Sequence, residues 1–214
     1  MNILEYENYQ EKISHGNPLF PYITYLCSIP LDFSYVPIHW HDEMELIYIK
    51  KGHGIITVDF TQYQVSAGTL ALIIPGQLHS IEQYENESME YENIIFKPDL
   101  LSSGANDLCM IQYIVPLLDG SLPIEYFLTP ALGSFEALSN CIRQIDLVCA
   151  DQTPGWQLAV KSSLFNFFFL LISERQKKTV STSSNSKSLE KMKTVLKYVE
   201  NHYTEKLTID DMAE

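Results

Sequence analysis

Residues 39–52 read HWHDEMELIYIKKG, and residues 68–79 read GTLALIIPGQLH. Side chains alternate between the two faces of a β-strand, so residues an even number apart share a face. His39, His41 and Glu45 therefore line one face of an extended segment. Trp40, between the two histidines, points to the other face and is expected to pack there. The second stretch carries another apolar strand and then a Pro75-Gly76 turn that delivers His79. Three imidazoles and a carboxylate form a chemically complete donor set for a divalent transition metal. The same residues suit a hydrogen-bonding floor for an organic ligand, or structural histidines bonded to backbone. His53, between Gly52 and Gly54, is expected to be an exposed turn residue.

Outward from these stretches, residues 20–96 form short segments rich in β-branched and aromatic residues: 22–29, 43–49, 55–60, 70–74 and 91–96. The runs at 51–54, 66–68 and 75–76 supply turn residues between some of them. Short strands at such spacing predict an antiparallel sandwich or barrel. Beyond Pro98 the period changes to that of helices. Residues 106–115 predict a short helix stopped by Pro116, Thr129-Pro130 opens a helical pattern over 132–148, and 151–155 form a break. Residues 156–175 predict the longest helix, apolar around most of its circumference. Such a helix needs cover from the domain and from a second copy of it. The dimerisation candidates are Trp156, Leu164, Phe165, Phe168, Leu171 and Ile172. The Phe165, Phe167, Phe168, Phe169 cluster reads as core or dimer packing rather than cofactor stacking.

Residues 177–187 form a polar, serine-rich linker. From Ser188, Leu189, Met192, Val195, Leu196, Val199 and Tyr203 fall on one helical face, and Thr208 with Asp211 signals a further helix start. Two turns cannot complete that helix, so the chain is expected to break off inside a domain. The expected organisation is a sensor domain over 1–100, a helical dimerisation region over 101–176, the linker, and an incomplete helical domain over 188–214.

The His-x-His pattern with Glu45, the following Gly52 and the Pro-Gly-x-x-His at 75–79 resemble the two cupin motifs over about residues 20–96. With Pro and Gly adjacent, they also look like the sensor domain of AraC-type transcriptional regulators. The tail is similar to the start of the DNA-binding domain of the same regulators, at Tyr198, Val199, Asn201, His202, Tyr203, Leu207, Thr208, Met212 and Ala213. The resemblance implies a mainly β fold with α: a cupin-like antiparallel sandwich or barrel, followed by helices that dimerise. It implies a small-molecule effector, a sugar or other polar metabolite, bound among His39, His41, Glu45 and His79. DNA would be contacted only through a helix-turn-helix of which just the start is present. A competing reading is a cupin metalloenzyme, a dioxygenase or isomerase, using the same four residues around a divalent metal.

Composition fits a sensor. The formal net charge is −13, with −11 before Ser188 and −2 after it. So acidic a surface repels phosphate backbones. Cys27, Cys109, Cys141 and Cys149 show no Cys-x-x-Cys spacing and are expected to be reduced, mostly buried thiols of a cytoplasmic protein. No basic-then-apolar leader opens the chain. The apolar run at 164–172 contains Asn166 and is shorter than the ~20 residues of a membrane span. Of the 13 tyrosines, none can be assigned to a pocket from the sequence.

Overall fold

The computed structural model describes residue 6 and residues 8–13, 15–104 and 107–175. The expected linker at 177–187 and the helical tail at 188–214 lie outside the described residues. Eight strands precede or interleave with the helices: β1 Tyr22–Ile29, β2 Tyr35–His39, β3 Met44–Val58, β4 Thr61–Ser66, β5 Leu70–Ile73, β6 His79–Gln83, β7 Met89–Phe96 and β8 Phe127–Leu128. The helices are α1 Val115–Leu118, α2 Phe135–Asp151 and α3 Trp156–Arg175.

β3 organises the sheets. Its first half pairs antiparallel with β7 and β5, with Glu45 opposite both Ile95 and Ile73. Its second half pairs with β4 and β6, placing Val58 opposite His79. β1 closes one side on β7, β2 pairs β6, and β8 extends β5. Two antiparallel layers thus share one bent strand. The expected turn at 51–54 is instead a bulge inside that strand: its register with β7 shifts between Ile49 and Lys51. Gly52 makes the bend possible. It holds φ +76°, and a Cβ there would collide with the Ser88 carbonyl. His53 is exposed, as a strand residue paired opposite Ser66 rather than a turn residue.

Alternation along the strands sorts the core into two. Met44, Leu46, Leu70, Leu72, Ile94 and Phe96 face the helices. Ile47, Ile49, Ala71, Ile73, Ile81 and Tyr91 face the barrel interior. The layer is buried on both sides, which explains the unbroken apolar run from Leu70 to Ile74. Glu45 shares the parity of Ile47 and Ile49, so its carboxylate enters the interior.

Of the cysteines only Cys141 is buried and Cys109 is exposed, against the expectation that most are buried. Three helical expectations are corrected. α2 begins at Phe135 after a turn, not at Thr129-Pro130. The helix near 106–115 is not stopped by Pro116. It passes through a π-turn at Met110–Ile114 into α1, with Pro116 in the first turn, where its missing N–H costs least. The inner face of α3 is covered from within the chain. Leu164, Phe168 and Leu171 are fully or almost fully buried, with Val160 and Phe167, in the same cluster as α2 residues Leu138, Ile142 and Ile145. Trp156 and Ile172 pack partly against it. Of the six dimerisation candidates only Phe165 is substantially exposed. The outer stripe is formed by Leu158, Phe165 and Phe169, at spacings of seven and four residues. Trp156–Glu174 is long and apolar enough to cross a membrane by length and composition, with a mean hydropathy of 1.3. Its buried face belongs to the core described above.

Candidate metal and effector site

His39 ends β2, His41 follows in the connecting loop, Glu45 lies on β3 and His79 begins β6. The pairing of β2 with β6 sets His39 directly opposite His79, with ring centroids 4.1 Å apart. One ligating atom from each of the four residues lies within 4.8 Å of the others. His79 is 0% exposed, and the Glu45 and His41 side chains are only 2% and 3% exposed.

Hydrogen bonding orients all three rings. Nδ1 donates to a backbone carbonyl two residues away in each case: His39 to Pro37 at 2.9 Å, His41 to Glu43 at 3.1 Å, and His79 to Gln77 at 2.9 Å. That fixes the tautomer and leaves Nε2 as the ligating nitrogen. Nε2 of His41 and of His79 lie 2.8 and 3.0 Å from the same oxygen, Glu45 Oε2. Both nitrogens of each of these rings therefore face acceptors. Two chemistries satisfy that arrangement: a proton on every nitrogen, or a cation replacing the inner protons. The donor set fits a divalent transition metal on these grounds.

The four residues are also coupled electrostatically. Burial would raise the Glu45 pKa, but the fields of His79 and His41 and their hydrogen bonds hold it well below the ordinary carboxylate range. Burial opposes charge on His41, and the Glu45 carboxylate overcomes it and raises that imidazole. His39 is shifted down, by burial first and then by His79.

Further polar residues border the site that its motif does not include. Glu11 Oε2 is 3.0 Å from His15 Nε2 and 3.9 Å from His39 Nε2. His15 Nδ1 meets the Tyr25 hydroxyl at 3.3 Å, and Glu43 Oε2 lies 3.8 Å from His41 Nδ1. In the sequence, their only signal is an isolated Glu-x-x-x-His spacing at 11–15. Trp40 packs away from the cluster, stacked on Tyr6 at 4.6 Å with its Nε1 donating to the Tyr6 carbonyl at 2.7 Å.

Two antiparallel layers sharing one bent strand, with a buried His/Glu cluster inside and helices packed outside, define a cupin-like domain. The AraC-like ligand binding domain family matches residues 20–168, and the chain belongs to it. It is 23% identical over 209 residues to an uncharacterized HTH-type transcriptional regulator, YdeC, of Bacillus subtilis, covering 97% of this chain and 70% of that protein. A second Bacillus subtilis protein of the same description, YbfI, is 24% identical over 178 residues, covering 83% of this chain and 60% of that protein. Among solved structures, a cupin protein from Bacteroides fragilis aligns with 41% of this chain and 80% of its own, at 23% identity and a TM-score of 0.36.

Proposed function

We propose that the chain is the effector-sensing part of an AraC-type transcription regulator, and that His39, His41, Glu45 and His79 hold a divalent transition metal at its sensory site. The carrying observation is the shared Glu45 oxygen, which faces two buried histidines whose outer nitrogens are already spent on backbone carbonyls. A bound metal would supply a Lewis-acidic anchor for the oxygen atoms of a polar metabolite such as a sugar. The protein's own part is to fix the imidazole tautomers, keep the carboxylate ionised and exclude bulk water. The effector acts by binding the domain's conformers with different affinity, the only means by which it can shift their equilibrium.

A regulator rather than a metalloenzyme is favoured by the names of the two Bacillus subtilis relatives. The intact regulator is proposed to be a cytoplasmic homodimer that contacts DNA through a helix-turn-helix domain. The outer stripe of α3 is the proposed dimer surface, beside an apolar groove of about 670 Å³ lined in part by Tyr113, Ile114, Phe165 and Phe169.

Elemental analysis of protein purified without an affinity tag or added metal tests the site. The expected result is close to one equivalent of metal, lost in His41→Ala. Metal-free wild-type protein that also fails to take up metal on dialysis would overturn the metal reading. Thermal-shift screening of metabolites then identifies the effector, since a ligand at 100 times its Kd adds about 2.7 kcal/mol.

A further inference from the structure

The segment carrying Glu11 lies along the loop that presents His41. Gln10 bridges Trp40, the Glu11 amide donates to the Trp40 carbonyl at 2.9 Å, and the Trp40 amide donates to the Tyr9 carbonyl at 3.0 Å. Tyr6 adds a hydroxyl bond to the Gly76 carbonyl at 2.6 Å, beside the turn that precedes His79. The segment is thus pinned to the two loops that deliver histidines. Its carboxylate is aimed inward: Glu11 Oε2 approaches His39 Nε2, the ring nitrogen not engaged by Glu45, while His15 Nε2 holds the same oxygen from the other side. Within a metal's coordination sphere, donor atoms are separated by roughly 3–4 Å, given metal–ligand distances of about 2.1 Å. The 3.9 Å between Glu11 Oε2 and His39 Nε2 falls in that range; Glu11 stands outside the four residues whose donor atoms all lie within 4.8 Å of one another, so its side chain has to swing toward the other three to complete the shell.

We propose that Glu11 is a fifth ligand of the site, oriented by His15, and that it ties the N-terminal segment to metal occupancy. This rests on the metal reading above. Its carboxylate brings a second negative charge to a set that otherwise has one, matching the charge of a divalent cation. A carboxylate-bearing small molecule offers the same oxygen chemistry and would compete with Glu11 for its position.

The test is cobalt(II) titration of the full 214-residue chain, stripped of metal, followed by calorimetry and visible absorption, with amide exchange read over residues 8–13. Glu11→Gln keeps the size of the side chain, and its metal-free melting curve controls for folding. Wild-type protein is expected to bind near one equivalent and to protect residues 8–13 on loading. Glu11→Gln is expected to bind at least about tenfold more weakly, with an altered visible spectrum and no added protection. His15→Gln retains the carboxylate and is expected to lose less affinity and keep the wild-type spectrum. Equal affinity and spectra for wild type and Glu11→Gln would overturn the assignment while leaving the four-residue site standing. A wild-type chain that binds no cobalt would remove the metal reading and this inference together.

Discussion

Residue-scale chemistry here turns on carboxylates placed where water is scarce, and two of the buried ones, Glu45 and Glu92, are of opposite character. Glu45 is held ionised by the histidines around it. Glu92, on β7, is pushed up to about 7, by burial first and then by the neighbouring Asp146 of α2, against the opposing pull of Lys50. A carboxylate whose folded pKa exceeds its unfolded value binds protons more tightly when folded, so stability falls as pH rises from about 4.5 to about 7. At one pKa unit per 1.36 kcal/mol, the contribution is on the order of 3 kcal/mol. Glu92→Gln is therefore expected to flatten the stability profile between pH 5 and pH 8 and to raise stability at pH 8. Urea denaturation at several pH values measures both, and an unchanged slope would refute the assignment. The motif spacing made the cluster at His39, His41, Glu45 and His79 legible, but the single strand expected to carry the first three is absent: His39 ends β2, His41 lies in the loop and Glu45 on β3, and the pairing of both strands with β6 brings them to His79. The sequence did not reveal Glu11 or His15, whose approach depends on a segment pinned to Trp40 by backbone pairing with no residue signature. Glu92 was hidden for a similar reason, since its partner Asp146 is brought to it only when α2 packs on the sheet.

Elements show where local signals lose to tertiary ones. Lys51-Gly52-His53-Gly54 has the composition of a turn, yet β7 on one side and β4 and β6 on the other pair with the chain on both sides of Gly52. The glycines make a bend within one strand instead. Gly52→Ala meets both a positive φ and the Ser88 carbonyl, and is expected to cost about 2–4 kcal/mol in thermal or chemical denaturation. A loss under 1 kcal/mol would show that the strand can straighten there. β2, β4, β6 and β8 were not marked off in the sequence because each is short or polar on one side, and β8 has only two residues. α3 was legible in extent, but not in which face is covered, because both faces are apolar. The structure assigns its inner face to the core, so Phe168→Ala should cost about 3–5 kcal/mol of stability. Phe169→Asp, on the face that is 65% exposed at that residue, should leave the melting temperature nearly unchanged and shift sedimentation from dimer toward monomer. A monomeric wild type at tens of micromolar, or a Phe169→Asp protein that unfolds, would remove the proposed dimer surface.

At the scale of the molecule, charge and fold divide the work of a regulator. The chain carries 27 acidic and 14 basic side chains. Non-specific affinity for DNA comes mainly from releasing counterions when lysines and arginines neutralise phosphates. A net charge of −13 opposes that release and slows encounter through long-range repulsion. The strands and helices described here spend their side chains on two cores and one buried site, leaving neither a basic stripe nor an unpaired helix rich in arginine among the described residues. The 214-residue chain is therefore expected to show no sequence-selective DNA binding at physiological salt, with or without metal at the site. Gel-shift or fluorescence anisotropy with the operator region beside its own gene, set against scrambled DNA, measures this. A selective complex with Kd below about 1 μM would mean that acidity does not keep this chain off DNA, and that residues 188–214 contribute contacts the charge balance conceals.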